Sequence, residues 1–262
     1  LKKVIFFLLV LVFSQECRAE EYRIISLAPN TTEILFKLGL GDSIVGVDRY
    51  SDYPEAARKV EKVGTFVSPN LEKIILLKPD YILLHTDVNK DMRDYLEGLG
   101  INIIKISPNS LEEICDSINM LGVIFNMEGP ASFIVEDIRE RIKAVSQKIE
   151  GDRPKVFVQL SSDPLITVSS FIGDIIRLAG GDNIARDIKG NAALFSYEVL
   201  IQRNPDIVLV IGFSEDSNLP DSISAVKNNR IYKDLDPNVL LRPGPRAIEA
   251  IEELNRIFYE KD

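Results

Sequence analysis

Two stretches of this chain carry the same phrase. "NLEKIILLKPDYILL", residues 70–84, returns as "SYEVLIQRNPDIVLV", residues 196–210, with Glu72, Pro79 and Asp80 mapping onto Glu198, Pro205 and Asp206 at a constant offset of 126. Each reads as a helix with an acid in its first turn, a Pro-Asp stop and an apolar strand. A second pair, "EILFKLGLGDSI" and "DIIRLAGGDNI", matches Leu38, Gly41, Asp42 and Ile44 to Leu178, Gly181, Asp182 and Ile184 at an offset of 140. Two matches in the same order, more than a hundred residues apart, predict two related lobes rather than a short solenoid repeat.

The rest of the pattern fits two α/β lobes. From Arg23 onward apolar runs such as "RIISL", "YILLH" and "KVFVQL" alternate with helix-like segments. Runs that are apolar throughout predict strands buried on both faces, hence mainly parallel sheets flanked by helices. Asn30 or Thr31 is expected to cap the first helix, and Ser68 and Ser196 the helices that carry Glu72 and Glu198. Between the lobes, Ile134, Ile138, Ile142, Val145 and Ile149 form one stripe at helical spacing after Gly129-Pro130. A continuous helix over 130–149 would span about 30 Å. The expected organisation is a leader over 1–19, a first lobe over 20–128, a joining helix over 129–150 and a second lobe over 151–262.

The leader reading rests on Lys2-Lys3, ten apolar residues over 4–13 and a short polar stretch to Ala19. Ten apolar residues are about half of a membrane span, so a cleaved export signal and an extracytoplasmic protein are expected. Lipid attachment at Cys17 is the less favoured alternative, because Glu16 precedes it. Without Lys2, Lys3, Arg18 and Glu16, 28 bases face 39 acids, a net charge of −11. Such a surface repels phosphate backbones, and nucleic acid is not an expected partner. Cys115 would then be the one remaining cysteine, an inert thiol in a helix.

In open parallel sheets, ligands sit beyond the carboxyl ends of the strands. Residues expected there include Tyr50, Phe66 and His85 in the first lobe, and Phe171 and Arg242 in the second. This is an aromatic and polar lining with an arginine, suited to a sizeable, partly apolar ligand. With one histidine in the chain, no catalytic set and no multi-histidine metal site is expected. Plainer readings stand beside these. The aromatics could pack a loop, His85 could be a wall residue or offer an imidazole to a cobalt or iron centre, and Arg242 and Arg246 could brace the terminal helix. Glu72 and Glu198 could simply answer the helix dipole. On pseudo-symmetric lobes they would also mark two matched acidic spots, legible to a two-fold partner with two basic sockets.

"RIISLAPNTTEILFKLGLGDSIVGVDRYSDYPEAARKVEKVG", "PNLEKIILLKPDYIL", "ITVSSFIGDIIRLAGGDNIA" and "LLRPGPRAIEAIEEL" resemble the periplasmic binding proteins for cobalamin, haem and ferric siderophores, nearest the cobalamin branch. The resemblance implies a chelatase-like, class III solute-binding fold, two lobes joined by one long helix with little hinge motion. It implies a monomeric binder with no cofactor of its own, carrying a metal-chelate ligand to an ABC permease dimer with its ATPase subunits. Docking glutamates of that family fall on Glu72 and Glu198, and ligand-lining positions on Tyr50, Phe66, His85 and Arg242. The chain departs from the cobalamin branch in having no tryptophan; Phe66 and His85 stand where tryptophans are usual. An enzyme on the same scaffold, inserting or reducing a metal, is the alternative.

Overall fold

The computed structural model describes residues 22–65, 67–86, 90–188, 192–211 and 218–260. The expected leader with its cleavage site, Phe66 and residues 212–217 lie outside the described residues. In the first lobe, β1 (Ile24–Ser26), β2 (Ile44–Val47), β3 (Tyr81–Leu84) and β4 (Asn102–Lys105) form a parallel sheet in the order β2-β1-β3-β4. Helices α1 (Pro29–Lys37), α2 (Leu71–Leu76), α3 (Lys90–Gly98) and α4 (Leu111–Ile124) connect and flank it.

The second lobe follows α5 (Glu128–Ser146). Its first strand, β5 (Lys155–Gln159), leads into a small antiparallel sheet made by β6 (Ser161–Ser162), β7 (Leu165–Thr167) and β9 (Ala193–Leu194). The main sheet is completed by β8 (Asp182–Asn183), β10 (Ile207–Val210) and β11 (Ile231–Tyr232), again all parallel. Around it run α6 (Phe171–Leu178), α7 (Tyr197–Arg203), α8 (Ser224–Lys227), α9 (Pro237–Leu241) and α10 (Ala247–Tyr259). Read in its own chain order, its sheet is second-first-third-fourth, the order of the first lobe. The repeat in the sequence is therefore a repeat in topology.

The Pro-Asp phrase has a specific task in both lobes. Asp80 Oδ2 accepts the backbone N–H of Arg23 at 2.8 Å, and its own N–H donates to the Arg23 carbonyl at 2.8 Å. Asp206 does the same with Lys155, at 2.8 Å in each direction. Each aspartate staples the start of its lobe's third strand to the start of its first, and satisfies an N–H that the sheet leaves unpaired. Before each proline the chain turns left-handed, at Lys78 (φ 47°) and Asn204 (φ 45°), which ends α2 and α7.

Strands β1 and β10 are buried throughout, as a sheet covered on both faces requires, while the edge strand β4 is half open. Helix α5 starts one turn from where α4 ends, and the two pack closely. A Cβ on Gly122 would meet the Cβ of Ala131 at 2.5 Å, so only glycine lets the backbones approach this far. The stripe Ile134, Ile138 and Val145 is buried as expected, but α5 ends at Ser146 and Ile149 lies beyond it. One continuous core runs from Ile24 and Leu35 through Ile134 and Ile138 to Val156 and Ile251. Arg141 fastens α5 to α10 with two bonds to Glu252, at 2.8 and 2.6 Å.

Two expected caps are placed differently. The first helix begins at Pro29, with Ala28 before it, since proline suits a first helical position and needs no N–H partner there. Helix α2 is capped by Asn70, whose side chain accepts from Lys73 N at 3.0 Å. Ser68 instead donates its N–H to Thr65 Oγ1 in the preceding turn. Ser196 does cap α7, accepting from Glu198 and Val199.

Replacing Asp80 or Asp206 by alanine should destabilise the protein by about 1 kcal/mol each, the worth of one hydrogen bond near the surface. The two losses should add in urea denaturation, because the staples lie in different lobes with no shared partner.

Candidate functional site

The carboxyl ends of the two sheets are brought together by the segment "RPGPR", residues 242–246. It leaves the second lobe after α9 and runs against the start of α1. Asn30 Nδ2 donates to the Pro243 carbonyl at 3.3 Å. The buried Glu33 receives Arg246 in a two-bond fork, Nε to Oε2 at 2.9 Å and Nη2 to Oε1 at 2.6 Å. The same guanidinium lies 4.0 Å from the ring centroid of Tyr53, so its face is covered by an aromatic and its edge by a carboxylate. The hydrogen bond and charge of Glu33 raise the pKa of Arg246, outweighing burial, which acts to lower it.

Arg242 bridges to the first lobe as well. Its Nη1 donates to Asp52 Oδ1 at 2.7 Å and stands 3.8 Å from Glu33 Oε1. Burial acts to raise the pKa of Asp52, but the hydrogen bond and charge of Arg242 outweigh it and hold the carboxyl below its ordinary value. Asp52 is itself held by a buried network one turn back. Asp48 Oδ1 accepts Ser51 Oγ, Asp48 Oδ2 accepts Tyr50 N at 3.2 Å, and Thr32 Oγ1 lies 2.8 Å from Ser51 Oγ. Lys62 closes it from below, donating to the Ser51 carbonyl at 2.6 Å; burial lowers its pKa, against the pull of Asp48 and Asp52. The loop that presents Tyr50, Asp52 and Tyr53 is thus pinned from inside.

Between the lobes this leaves a concavity of about 140 Å³, lined by Pro29, Asn30, His85, Leu241, Arg242 and Pro243. His85 and Arg242, named from sequence, meet here. Nδ1 of His85 is buried without a hydrogen-bond partner among the described residues. Tyr50 stands 54% exposed on the adjoining loop. Phe66 lies outside the described residues. Phe171 does not stand on an open wall. It is 5% exposed within the core, because α6 turns Phe171, Ile172, Ile175 and Ile176 inward together. A larger hollow of about 870 Å³ lies at the opposite, amino end of the second lobe's strands, where Lys148, Glu150, Arg153 and Asp206 give it mixed charge. The strand-end rule and the converging residues both favour the smaller concavity.

Glu72 and Glu198 are exposed, each in the first turn of its helix. Glu198 accepts a bond from its cap, Ser196, which lowers its pKa. Among the described residues no cluster of three His, Cys, Asp or Glu side chains is placed to hold a metal ion, and no helix is long and apolar enough to cross a membrane. Sequence reasoning missed Glu33, Asp52 and Tyr53. Two arginines in five residues, flanked by prolines and glycine, were the available signal that buried counter-charges had to exist elsewhere.

Comparison with known proteins bears on this arrangement. The profile of the periplasmic binding protein family matches residues 24–237. An uncharacterized ABC transporter substrate-binding lipoprotein of Bacillus subtilis, YvrC, is 35% identical over 265 residues, 92% of this chain and 81% of its own length. The vitamin B12-binding protein of Vibrio vulnificus is 35% identical over 261 residues, 95% of each chain. Among solved structures, the periplasmic vitamin B12 binding protein BtuF of Vibrio cholerae superposes with a TM-score of 0.77 at 31% identity, over 90% of this chain and 96% of its own. The periplasmic haem-binding protein HutB of the same organism reaches 0.81 at 22% identity, over 90% and 98%, a likeness of fold alone.

The Glu33–Arg246 fork yields a double-mutant prediction. Arg246→Met alone should cost about 3–5 kcal/mol, because Glu33 is left charged and buried. Adding Glu33→Leu should recover most of that loss, measured by denaturation of all four proteins. The Asp52 link yields a pH prediction. Since its folded pKa is depressed, its contribution is complete above the unfolded value near 3.9 and disappears as pH falls through the folded one. Asp52→Asn should therefore flatten the acid limb of the stability curve below about pH 4 and shift stability by a constant amount above it.

Proposed function

Because the chain belongs to the periplasmic binding protein family, we propose that it is the extracytoplasmic solute-binding component of an ABC importer, capturing a metal-chelate ligand between its lobes and delivering it to a permease dimer. The ligand class proposed is a corrinoid, haem or ferric siderophore. The observation that carries this reading is the cross-lobe concavity itself. Pro29, Asn30 and His85 of one lobe face Leu241, Arg242 and Pro243 of the other, and the two sides are fixed by ion pairs rather than left to swing. Vitamin B12-binding relatives that align over nearly the whole chain support the ligand class.

The charges at the mouth set a preference among such ligands. Arg242 already holds Asp52, so a carboxylate or phosphate on the ligand must share or displace that partner. Arg242→Ala should weaken anionic chelates most, and Asp52→Asn should strengthen them, since it releases the guanidinium without removing it. Calorimetry against cobalamin, haem and several ferric siderophores is the test. Absence of binding tighter than millimolar to every one of them would sink the proposal.

Glu72 and Glu198 are assigned to docking on the permease. Both are exposed and stand at the same place in the two lobes, and the bond from Ser196 to Glu198 has no counterpart at Glu72 among the described residues. The staple that the repeat does require is made by Asp80 and Asp206. Alanine at both glutamates should leave ligand affinity and melting temperature unchanged while abolishing stimulation of the importer's ATPase, each single variant showing an intermediate defect. Uptake at the unsubstituted rate by the double variant would return both residues to the role of helix-start acids.

A further inference from the structure

A hollow of about 460 Å³ lies on the second lobe between α6 and the edge strand β8, away from the cleft residues, with Arg153, Arg177 and Arg186 on its wall and Gly173 and Asn183 deeper in. Its two acids already have cations of their own. Asp174 accepts Arg177 Nη2 at 2.5 Å and the Leu111 N–H at 2.9 Å, and Asp182 is paired with Arg186. Arg153 is different. Its Nη1 donates to the neutral Arg177 carbonyl at 3.0 Å, and it has no carboxylate partner among the described residues. The hollow's three arginines thus face two aspartates, an excess of one positive charge among its described lining residues.

The floor carries an unused donor. Asn183 is 5% exposed, and its amide nitrogen Nδ2 has no hydrogen-bond partner among the described residues. Which end of the amide this is follows from the backbone, because Asn183 Oδ1 accepts the Ala185 N–H at 2.9 Å. An N–H₂ left unpaired at such depth is costly, and a group of this kind calls for a ligand atom to explain it. Gly173 leaves room beside the donor. A Cβ there would stand 3.6 Å from Nδ2.

We propose that this hollow is an oxyanion site, taking a phosphate-like group through Asn183 Nδ2 and the free guanidinium edge of Arg153. The argument is independent of the cleft and of its ligand. An acceptor-only group with a negative charge matches both features, whereas a cation would meet Arg153 and a neutral donor would meet another donor. The bound group would tie β8 to α6 and so raise the stability of the lobe by linkage.

Three substitutions separate the site from general surface charge. Asn183→Asp keeps the acceptor for Ala185 and the shape but replaces the donor by a charge of the wrong sign. Gly173→Ala sets a methyl group beside the donor at ordinary contact distance, in a helix where alanine is the better former. Arg153→Gln removes the excess positive charge. The whole protein should be titrated with inorganic phosphate at constant ionic strength, with chloride as the control, following calorimetric heat and melting temperature. The expected result is a phosphate-specific rise in melting temperature that chloride does not give. Each variant should bind at least about tenfold more weakly, the equivalent of one charge-assisted bond, with Gly173→Ala folding as stably as the parent. The phosphate could be free or carried on a lipid headgroup. Sedimentation with phosphatidylglycerol vesicles, lost in the same variants, would identify the second source, and binding of inorganic phosphate alone the first. Equal affinity in the parent and Asn183→Asp, or no effect of phosphate or vesicles beyond that of chloride, would overturn the assignment.

Discussion

The buried fork between Glu33 and Arg246 is the contact on which the geometry of the cleft depends. Its partners stand 213 positions apart in the chain and belong to different lobes. Both are nearly removed from water, at 2% and 13% side-chain exposure, so neither charge tolerates the loss of the other. Replacing the pair with matched apolar groups would cost little stability, so its value lies elsewhere. A two-bond fork has one good geometry, and that geometry sets how the 242–246 segment lies against the start of α1. Arg242, Asp52, Asn30 and Tyr53 then follow from where this segment is placed. The width of the concavity is thus specified by charge, while the shared core and α5 supply the bulk of the cohesion.

The cleft is electrostatically poised as well as rigid. Arg242 and Arg246 face Asp52 and Glu33, and the buried Asp48 accepts the Ser51 hydroxyl within reach of the Lys62 charge. The first lobe thereby offers carboxylates to the arginines of the second before any ligand arrives. On the proposed function, a ligand anion would exchange with Asp52, which is half exposed, and not with Glu33, which is sealed. One arginine is available to a ligand and the other serves the frame. The two could not have been told apart from their shared motif.

Much of the fold was legible because apolar runs and helix stops are local signals. The two offsets, 126 and 140, mark the same strand-helix units that the shared sheet order displays. Local signals also misled. Ser68 has the chemistry of a cap, but Asn70 stands one residue before α2 and takes the role, while Ser68 turns back to Thr65. Ile149 continues the stripe of α5 beyond Ser146, because apolar spacing persists where the backbone no longer does. Phe171 looked like a lining residue by position and is a core residue by the phase of α6. Glu33 was invisible, since an acid in the first turns of a helix has a local explanation and its partner lies at the far end of the chain. The repeated Glu and Pro-Asp looked like one feature; the structure separates the aspartates, which hold the sheets, from the glutamates, which stand exposed at the helix starts.

A fixed cleft width is the central claim, and a distance between the lobes tests it most directly. Spin labels on cysteines replacing Glu97 on α3 and Gln202 on α7, both exposed, would report it in a Cys17→Ser background, with Cys115 buried and unreactive. Pulsed dipolar spectroscopy should give one narrow distance distribution whose centre moves by less than about 2 Å when a saturating metal chelate is added. It should broaden in Arg246→Met, where the fork is cut. A broad distribution in the unsubstituted protein, or a shift well beyond that range on ligand addition, would contradict the account.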